Sequence, residues 1–463
     1  MLKRNIISNF IGNGYVVVLQ FALVPILLRY LGTEAYGLIG IYATLLALIN
    51  LLDFGLSPTL TRELARLSAN PNSDQQIKNT LSTLETLCIG IALIMILFFV
   101  ISAPLLSKHW LSNNSLPTET VVNCLRLMGA QAAFQLVTNF YTSGMQGLQR
   151  MFRANGILFA NHTIRAVLAL FVLIQLNQGT EVYFISQLVA TVIGLFFTVY
   201  GLYSALPKLQ KVNHSSSFFL KIICRFNLDS FNACKKYIGA LAIISFCSFL
   251  ITQTDKIILT KIVSLADFGL YSIAASIAIT VAGGAGLISR AVLPRMTQLV
   301  VLNELETLKV LYFKTLSFVA WLILVVASVL ILFHEQILTI YLGNNAQLPV
   351  ISRVFMLLMF GYALHSLMYI PYTLTLAYDW VRFGITTSIV AFVIMVPLTT
   401  ICTLKYGILG AATAWVVITV IYLGFCLIFL HRRIFKGCLL KSYQAFAMPL
   451  LILITTFIYS FFY

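Results

Sequence analysis

The chain reads as a succession of long apolar runs separated by short polar stretches. A helix needs about 20 apolar residues to cross a bilayer, and such runs fall at about 6–30, 37–60, 81–106, 119–146, 154–176, 181–205, 235–260, 267–298, 310–333, 350–378, 383–404, 407–430 and 444–462. The pattern predicts an all-α polytopic membrane protein with twelve main spans. The thirteenth run stands apart after a basic loop, and it either spans or lies at the interface. The first run follows Lys3 and Arg4, as a signal peptide would. It is too long for such a peptide's apolar region, and no small-residue cleavage pattern follows, so it is expected to be a retained span.

Polar residues inside the runs are spaced as on one face of a helix. Asn9, Asn13 and Gln20 do this in the first span, which also holds Pro25. Gln131, Gln135, Asn139, Thr142 and Gln146 do it in the fourth, and Ser245, Ser248, Thr252 and Asp255 in the seventh. Such stripes either line a wet cavity or bond neighbouring helices to one another. Three stripes, two at related positions, favour a cavity.

That relation appears when the sequence is shifted by 232 residues. Glu34-Ala35-Tyr36-Gly37-Leu38 then falls on Ala266-Asp267-Phe268-Gly269-Leu270, Asn13 on Ser245, Gln20 on Thr252 and Arg29 on Lys261. An even number of spans per half makes this a parallel repeat about an axis along the membrane normal. The expected organisation is a six-helix lobe at 1–206, a basic cytoplasmic linker at 207–234, a second six-helix lobe at 235–431, and a basic loop with the extra apolar segment at 432–463. Two such lobes are expected to enclose a central cavity and to expose it alternately to either side.

Composition agrees with the membrane reading. Hydrophobic residues make up 60% of the 463 residues and charged residues 10%, where soluble domains are nearer a quarter charged. The formal charge of +16 does not point to nucleic acid, because no basic-aromatic surface module is present. The basic residues lie between spans, where they set topology and meet membrane lipid headgroups. Placing the N-terminus in the cytoplasm puts most Lys and Arg on the inner side. The eight cysteines have no metal or redox spacing and are expected to be packed thiols. No phosphate-binding loop, zinc-spaced histidine pair or nucleophile elbow occurs, so neither cofactor, metal nor enzymatic chemistry is expected. Ala282-Gly283-Gly284-Ala285-Gly286 is expected to serve close helix packing or flexibility.

Arg165 is the sharpest candidate. It lies mid-span, with Asn161 and His162 on roughly the same face. An arginine at the bilayer centre costs at least ~2.5 kcal/mol, so it should face protein or water. It either binds an anion such as a diphosphate or pairs with a carboxylate elsewhere. Arg126, Arg290, Arg353 and Lys256 lie towards span ends, and each lines the same cavity or snorkels to an interface. Asp255, next to Lys256, suggests a local charge pair. Only Asp53, Glu85 and Asp255 are carboxylates expected within spans, so the interior leans cationic and suits anionic cargo. Asp53, with Arg62 and Arg66 beyond it, is either a gate charge at the cytoplasmic mouth or a capping and topology device.

Two stretches carry a family resemblance. Leu31-Gly32-Thr33-Glu34-Ala35-Tyr36-Gly37-Leu38 and Leu52-Asp53-Phe54-Gly55-Leu56-Ser57-Pro58-Thr59-Leu60-Thr61-Arg62-Glu63-Leu64-Ala65-Arg66 resemble the polysaccharide biosynthesis and export family, its O-antigen flippases of the Wzx type in particular. Asp255-Lys256-Ile257-Ile258-Leu259 with Phe268-Gly269-Leu270-Tyr271, and Lys405-Tyr406-Gly407-Ile408-Leu409-Gly410-Ala411-Ala412, look like later family elements. The resemblance covers about residues 1–435, and the segment at 444–462 departs from a plain twelve-span pattern. It implies the multidrug/oligosaccharidyl-lipid/polysaccharide exporter fold and a cationic cavity, which Arg165 matches in kind. It also implies a bacterial inner-membrane location and an undecaprenyl-diphosphate-linked oligosaccharide as cargo, turned from the cytoplasmic to the periplasmic leaflet. A glycan polymerase and a chain-length regulator are the implied working partners. In that setting Arg165, Arg126, Arg290, Arg353 and Lys256 would meet the anionic headgroup. Asn161 and His162 would line the same anion site, Asn13, Gln20, Gln135 and Asn139 would meet sugars, and Asp53, Arg62 and Asp255 would gate or couple. A lipid II-type flippase and a cation-coupled drug exporter share this architecture and remain alternatives. A membrane glycan polymerase would need a large periplasmic loop, and the sequence has none.

Overall fold

The computed structural model describes residues 2–68, 73–109, 117–175, 179–206, 226–342, 348–378, 380–435 and 437–462. Most of the expected linker, and the side chains of Asn9, Asn13, Gln20, Ser248 and Arg290, lie outside the described set. The described residues are helical, in two compact units, Met1–Phe249 and Leu250–Tyr463.

The first unit contains α1 (Leu2–Leu52), α2 (Leu56–Leu67), α3 (Asp74–His109), α4 (Thr118–Gly147), α5 (Met151–Gln175), α6 (Thr180–Tyr203) and the start of α7 (Leu228–Ile262). The second contains the rest of α7, then α8 (Leu265–Val301), α9 (Leu305–Leu332), α10 (His334–Leu342), α11 (Leu348–Ser366), α12 (Tyr369–Ala377), α13 (Val381–Arg433) and α14 (Leu439–Phe462). Nine stretches among the described residues are long and apolar enough to cross a membrane, α14 among them. The helix α4 is not one of the nine despite its length. Its stripe of Gln131, Gln135, Asn139 and Gln146 lowers its mean hydropathy below that of its neighbours.

Two long helices are broken by glycine. At Gly32, φ is 80° and ψ 174°, and this divides α1 into the first and second expected spans. At Gly407, φ is 58° and ψ −137°, and this divides α13 into the eleventh and twelfth. Both pairs of angles lie where a Cβ is strongly disfavoured. The 232-residue shift carries Gly32 onto Ser264, the N-cap of α8, whose side chain accepts from Asp267 N. The same shift places the break at Gly407 opposite Gln175, where α5 ends. Helix breaks therefore recur in register in the two halves.

Some expected bounds change. The second span does not run to residue 60. It stops at Leu52, and the chain turns through Phe54 (φ 47°) and Gly55 (φ 76°) into α2. That helix is amphipathic, and Leu56, Leu60, Leu64 and Leu67 make its buried face. The run at 350–378 is two helices, separated by a turn at Leu367–Met368. The seventh helix begins at Leu228, inside the expected linker.

Glycines set the closest approaches. A Cβ on Gly129 would lie 2.3 Å from Phe99 Cβ, which brings α4 against α3. A Cβ on Gly147 would lie 2.6 Å from Thr61 O, and Thr61 donates to Ser143 O at 2.9 Å, which docks α2 on α4. In the second unit Trp415 fills the space over Gly361 and stacks at a tilt on Tyr362, 4.7 Å between centroids. Gly286 faces Tyr369 and Gly284 faces Ile323, so these two glycines of α8 serve close packing, while Gly283 has open space beside it. The described cysteines are free, and Cys88, Cys124, Cys234 and Cys426 are buried.

Candidate functional site

Arg165 lies on the face of α5 turned towards α4 and α6. Its Nη2 donates to Thr191 Oγ1 of α6 at 2.6 Å and to Gln135 Oε1 of α4 at 3.2 Å. Gln187 Nε2 donates to the Arg165 carbonyl at 3.1 Å, and Thr191 donates to the Gln187 carbonyl at 2.8 Å. Gln135 Nε2 in turn donates to Asn139 Oδ1 at 3.0 Å. Tyr42, from the second half of α1, has Arg165 and Gln131 as its electrostatic neighbours. Four helices thus supply polar side chains to one place inside the first unit.

No carboxylate pairs with Arg165 among the described residues, where the ion pairs are Arg66–Glu63 and Lys309–Glu306. Polar atoms around it are left over. Arg165 Nε, Tyr42 Oη, Gln131 Nε2 and Oε1, and Asn161 Oδ1 are buried with no hydrogen-bond partner among the described residues. A buried donor or acceptor left unpaired costs about 1–3 kcal/mol, and native proteins keep few of them. The Arg165 guanidinium, with the Tyr42 and Gln131 side chains beside it, thus forms a buried polar cluster with no carboxylate partner among the described residues.

The packing that holds this cluster is specific. Asn161 is buried against Gly194 of α6, where a Cβ would stand 2.4 Å from its amide. One turn towards the N-terminus of α5, Tyr15 stacks on Phe159 at 4.0 Å and shares a 2.8 Å hydrogen bond with Thr163. His162 is half-buried beside Asn161.

Other expected site residues stand elsewhere. Arg126 is exposed, nine residues before Gln135 on the same helix and so about 14 Å along its axis. Arg353 is exposed in the second unit. Lys256 is buried there, but it does not form the expected pair with Asp255. Its Nζ donates to Thr252 O at 3.2 Å and Gln253 Oε1 at 3.4 Å, while Asp255 accepts from Tyr271 Oη at 2.6 Å. Adjacent residues on a helix point about 100° apart, so the two charges feel one another without making an ion-pair contact. Asp53 accepts from Ser57 N at 3.1 Å and Ser57 Oγ at 2.6 Å, holding the first turn of α2. Arg62 lies over the Tyr237 ring at 4.4 Å, not against Asp53. Asn13, Gln20 and Arg290 have side chains outside the described set.

Sequence reasoning passed over Tyr42, Gln187 and Thr191. The last two had a signal, since Gln187, Thr191, Gly194 and Thr198 share one face of the sixth span. Tyr42, a single phenol in an apolar run, had none.

These features define a multi-pass α-helical membrane protein with a cationic polar cluster inside its first unit. Its fold is that of the MOP superfamily. It is similar to a multidrug resistance MATE family transporter of that superfamily in an inward-facing conformation, with a TM-score of 0.71 and 15% identity over 93% of this chain and 96% of that one. It is also similar to the lipid II flippase MurJ, at 0.66 and 15% over 97% of each. A MOP superfamily transporter from Pyrococcus furiosus, described as having reverse polarity of its binding pocket, matches at 0.55 and 15% over 98% of this chain and 93% of that one. Among curated proteins, a putative O-antigen transporter of Shigella flexneri is 21% identical over 434 residues, 89% of this chain and 93% of that protein. Residues 2–300 match the family described as polysaccharide biosynthesis protein, and the chain belongs to that family.

Proposed function

We propose that this protein is a flippase. It carries an undecaprenyl-diphosphate-linked oligosaccharide, a surface-glycan repeat unit, from the cytoplasmic to the periplasmic leaflet of a bacterial inner membrane. The observation that carries the proposal is Arg165, a guanidinium halfway along a membrane helix with hydroxyl and amide neighbours and no carboxylate partner among the described residues. A guanidinium left without a counter-anion in a medium of low dielectric favours a phosphate guest. Gln131, Gln135, Asn139 and Asn161 offer the donors and acceptors that sugar hydroxyls need. The polyprenyl tail stays in lipid, and no covalent bond is made or broken. The mechanism is alternating access, in which the headgroup site opens to one leaflet and then to the other. Family membership and the resemblance to an O-antigen transporter support the choice of cargo over a cationic drug, which would want a buried carboxylate where Arg165 stands.

The test is chromosomal replacement of Arg165 by Ala and by Lys in the native strain, followed by analysis of surface glycan and of lipid-linked sugar on each leaflet. Arg165→Ala is expected to abolish surface glycan and to leave lipid-linked sugar on the cytoplasmic leaflet, at unchanged protein abundance. Normal glycan in that strain removes Arg165 from the site. Altered drug resistance with normal glycan supports a drug exporter instead.

A further inference from the structure

A second buried polar centre lies in the first unit, apart from Arg165. Glu85 sits on α3, eleven residues after its start, and is 2% exposed. Tyr141 of α4 donates to Glu85 Oε1. Tyr203, the last residue of α6, spans both carboxylate oxygens, at 2.8 Å from Oε1 and 2.9 Å from Oε2. The carboxylate therefore ties together the ends of α3, α4 and α6 that the charge bias assigns to the cytoplasmic side.

No lysine or arginine among the described residues forms an ion pair with Glu85. The titratable groups facing it are Tyr141, Tyr203 and Cys88, and Cys88 also feels Asp53 from the turn before α2. From α2, Glu63 is already paired with Arg66 at 2.6 Å. Just before α7, Asn227 N donates at 3.1 Å to Thr83 Oγ1, two residues before Glu85. Leu60 of α2, Leu84 and Cys88 of α3, and Tyr141 and Met145 of α4 belong to one buried hydrophobic cluster of this unit. A carboxylate buried in such surroundings without a cation is costly, and the usual resolution is to take up a proton.

The phenols suit both protonation states. With Glu85 ionised, both hydroxyls donate to it. With Glu85 protonated, its own O–H needs an acceptor. Rotation of the Tyr203 hydroxyl supplies one, because a phenol oxygen accepts as well as donates. Tyr141 goes on donating to Oε1, and no heavy atom has to move. A hard metal cation is a poorer match, because it takes six or more oxygens, and the hydrogen bonds among the described residues gather two carboxylate and two phenol oxygens here. Among the described residues no group of three His, Cys, Asp or Glu is placed to hold a metal.

We propose that Glu85, clasped by Tyr141 and Tyr203, is a proton-binding site that couples the transport cycle to a proton gradient. The coupling role rests on the flippase reading above; proton binding itself does not. One proton adds to the carboxylate as it becomes accessible from one side and leaves to the other. The tie between α3, α4 and α6 is stronger when Glu85 is charged, because charge-assisted hydrogen bonds are the stronger kind. Proton binding therefore loosens the junction and proton release tightens it.

The experiment uses the full chain in lipid nanodiscs without cargo. Infrared difference spectra are taken between about pH 5 and about pH 9. A buried-carboxyl C=O band is expected to titrate in the wild type, to vanish in Glu85→Gln and to shift in Tyr203→Phe. A band unchanged in Glu85→Gln, or no titrating band in the wild type, overturns the proposal. So does a band displaced by sodium at constant pH. If Glu85→Gln fails to fold, Tyr203→Phe alone decides, because an unshifted band contradicts the geometry. A second arm uses proteoliposomes, an undecaprenyl-diphosphate-linked monosaccharide and an imposed difference of one pH unit, about tenfold in proton activity. Glu85→Gln is expected to keep downhill movement and lose the response to the gradient. A retained response overturns the coupling role. A titrating band in a protein that moves no lipid-linked sugar leaves the proton site standing and removes the flippase reading.

Discussion

Arg165 Nη2 and Thr191 Oγ1 stand 2.6 Å apart across the α5–α6 seam, and the Thr191 hydroxyl proton is already committed to the Gln187 carbonyl. The hydroxyl is thereby fixed as an acceptor, with its lone pairs facing the guanidinium. This fixes where the charge points and leaves Arg165 Nε without a partner of its own.

Thr191→Val keeps the shape and removes the acceptor. Hydrogen bonds to charged groups contribute about 1.5–3 kcal/mol, so the variant should unfold at a clearly lower temperature in detergent. Thr191→Ser should behave nearly as the wild type. Equal midpoints for all three proteins would remove Thr191 as the anchor of Arg165.

Gly194 and Asn161 form a matched pair, with no room for a methyl group between them. Overpacking of this kind costs about 1–3 kcal/mol. Gly194→Ala should lose about that much, and adding Asn161→Ala should restore most of it. A double-mutant cycle on thermal unfolding measures the coupling; additive losses would place Asn161 away from Gly194.

Gly32 and Gly407 mark the breaks in α1 and α13. Gly32→Ala and Gly407→Ala should each destabilise by about 1–3 kcal/mol, the range for a side chain forced into a sparsely populated backbone region. Gly90, helical and with open space at its Cβ position, is the control. Gly90→Ala should be neutral or slightly stabilising, since alanine gains about 1 kcal/mol over glycine inside a helix. Equal effects at all three positions would mean that the breaks do not depend on glycine.

Much of this fold was legible because membrane helices announce themselves by length and hydropathy. The same feature hid the breaks at residues 54 and 367, where α2 and α12 continue an apolar pattern through a turn. Part of the candidate site was legible as well. The stripe on α4 and the mid-span Arg165 do meet, through Gln135. The Tyr42, Thr191 and Glu85 contacts were not, because each depends on which helices become neighbours, and spacing within one helix carries no such information. Asp255 and Lys256 make no direct contact for a related reason: neighbours in sequence are not neighbours on a helix face. The repeat is a repeat of helices and not of chemistry. Arg165 has Pro397 at its shifted position, and Asp255 has Leu23.

The decisive measurement is the affinity of the purified protein for a short-chain polyprenyl diphosphate, compared across the wild type, Arg165→Ala and Arg126→Ala. Loss of a charge-assisted contact of about 1.5–3 kcal/mol should weaken binding about 10- to 100-fold in Arg165→Ala, and leave Arg126→Ala unchanged. Equal affinity of the wild type and Arg165→Ala would contradict an anion site built on Arg165.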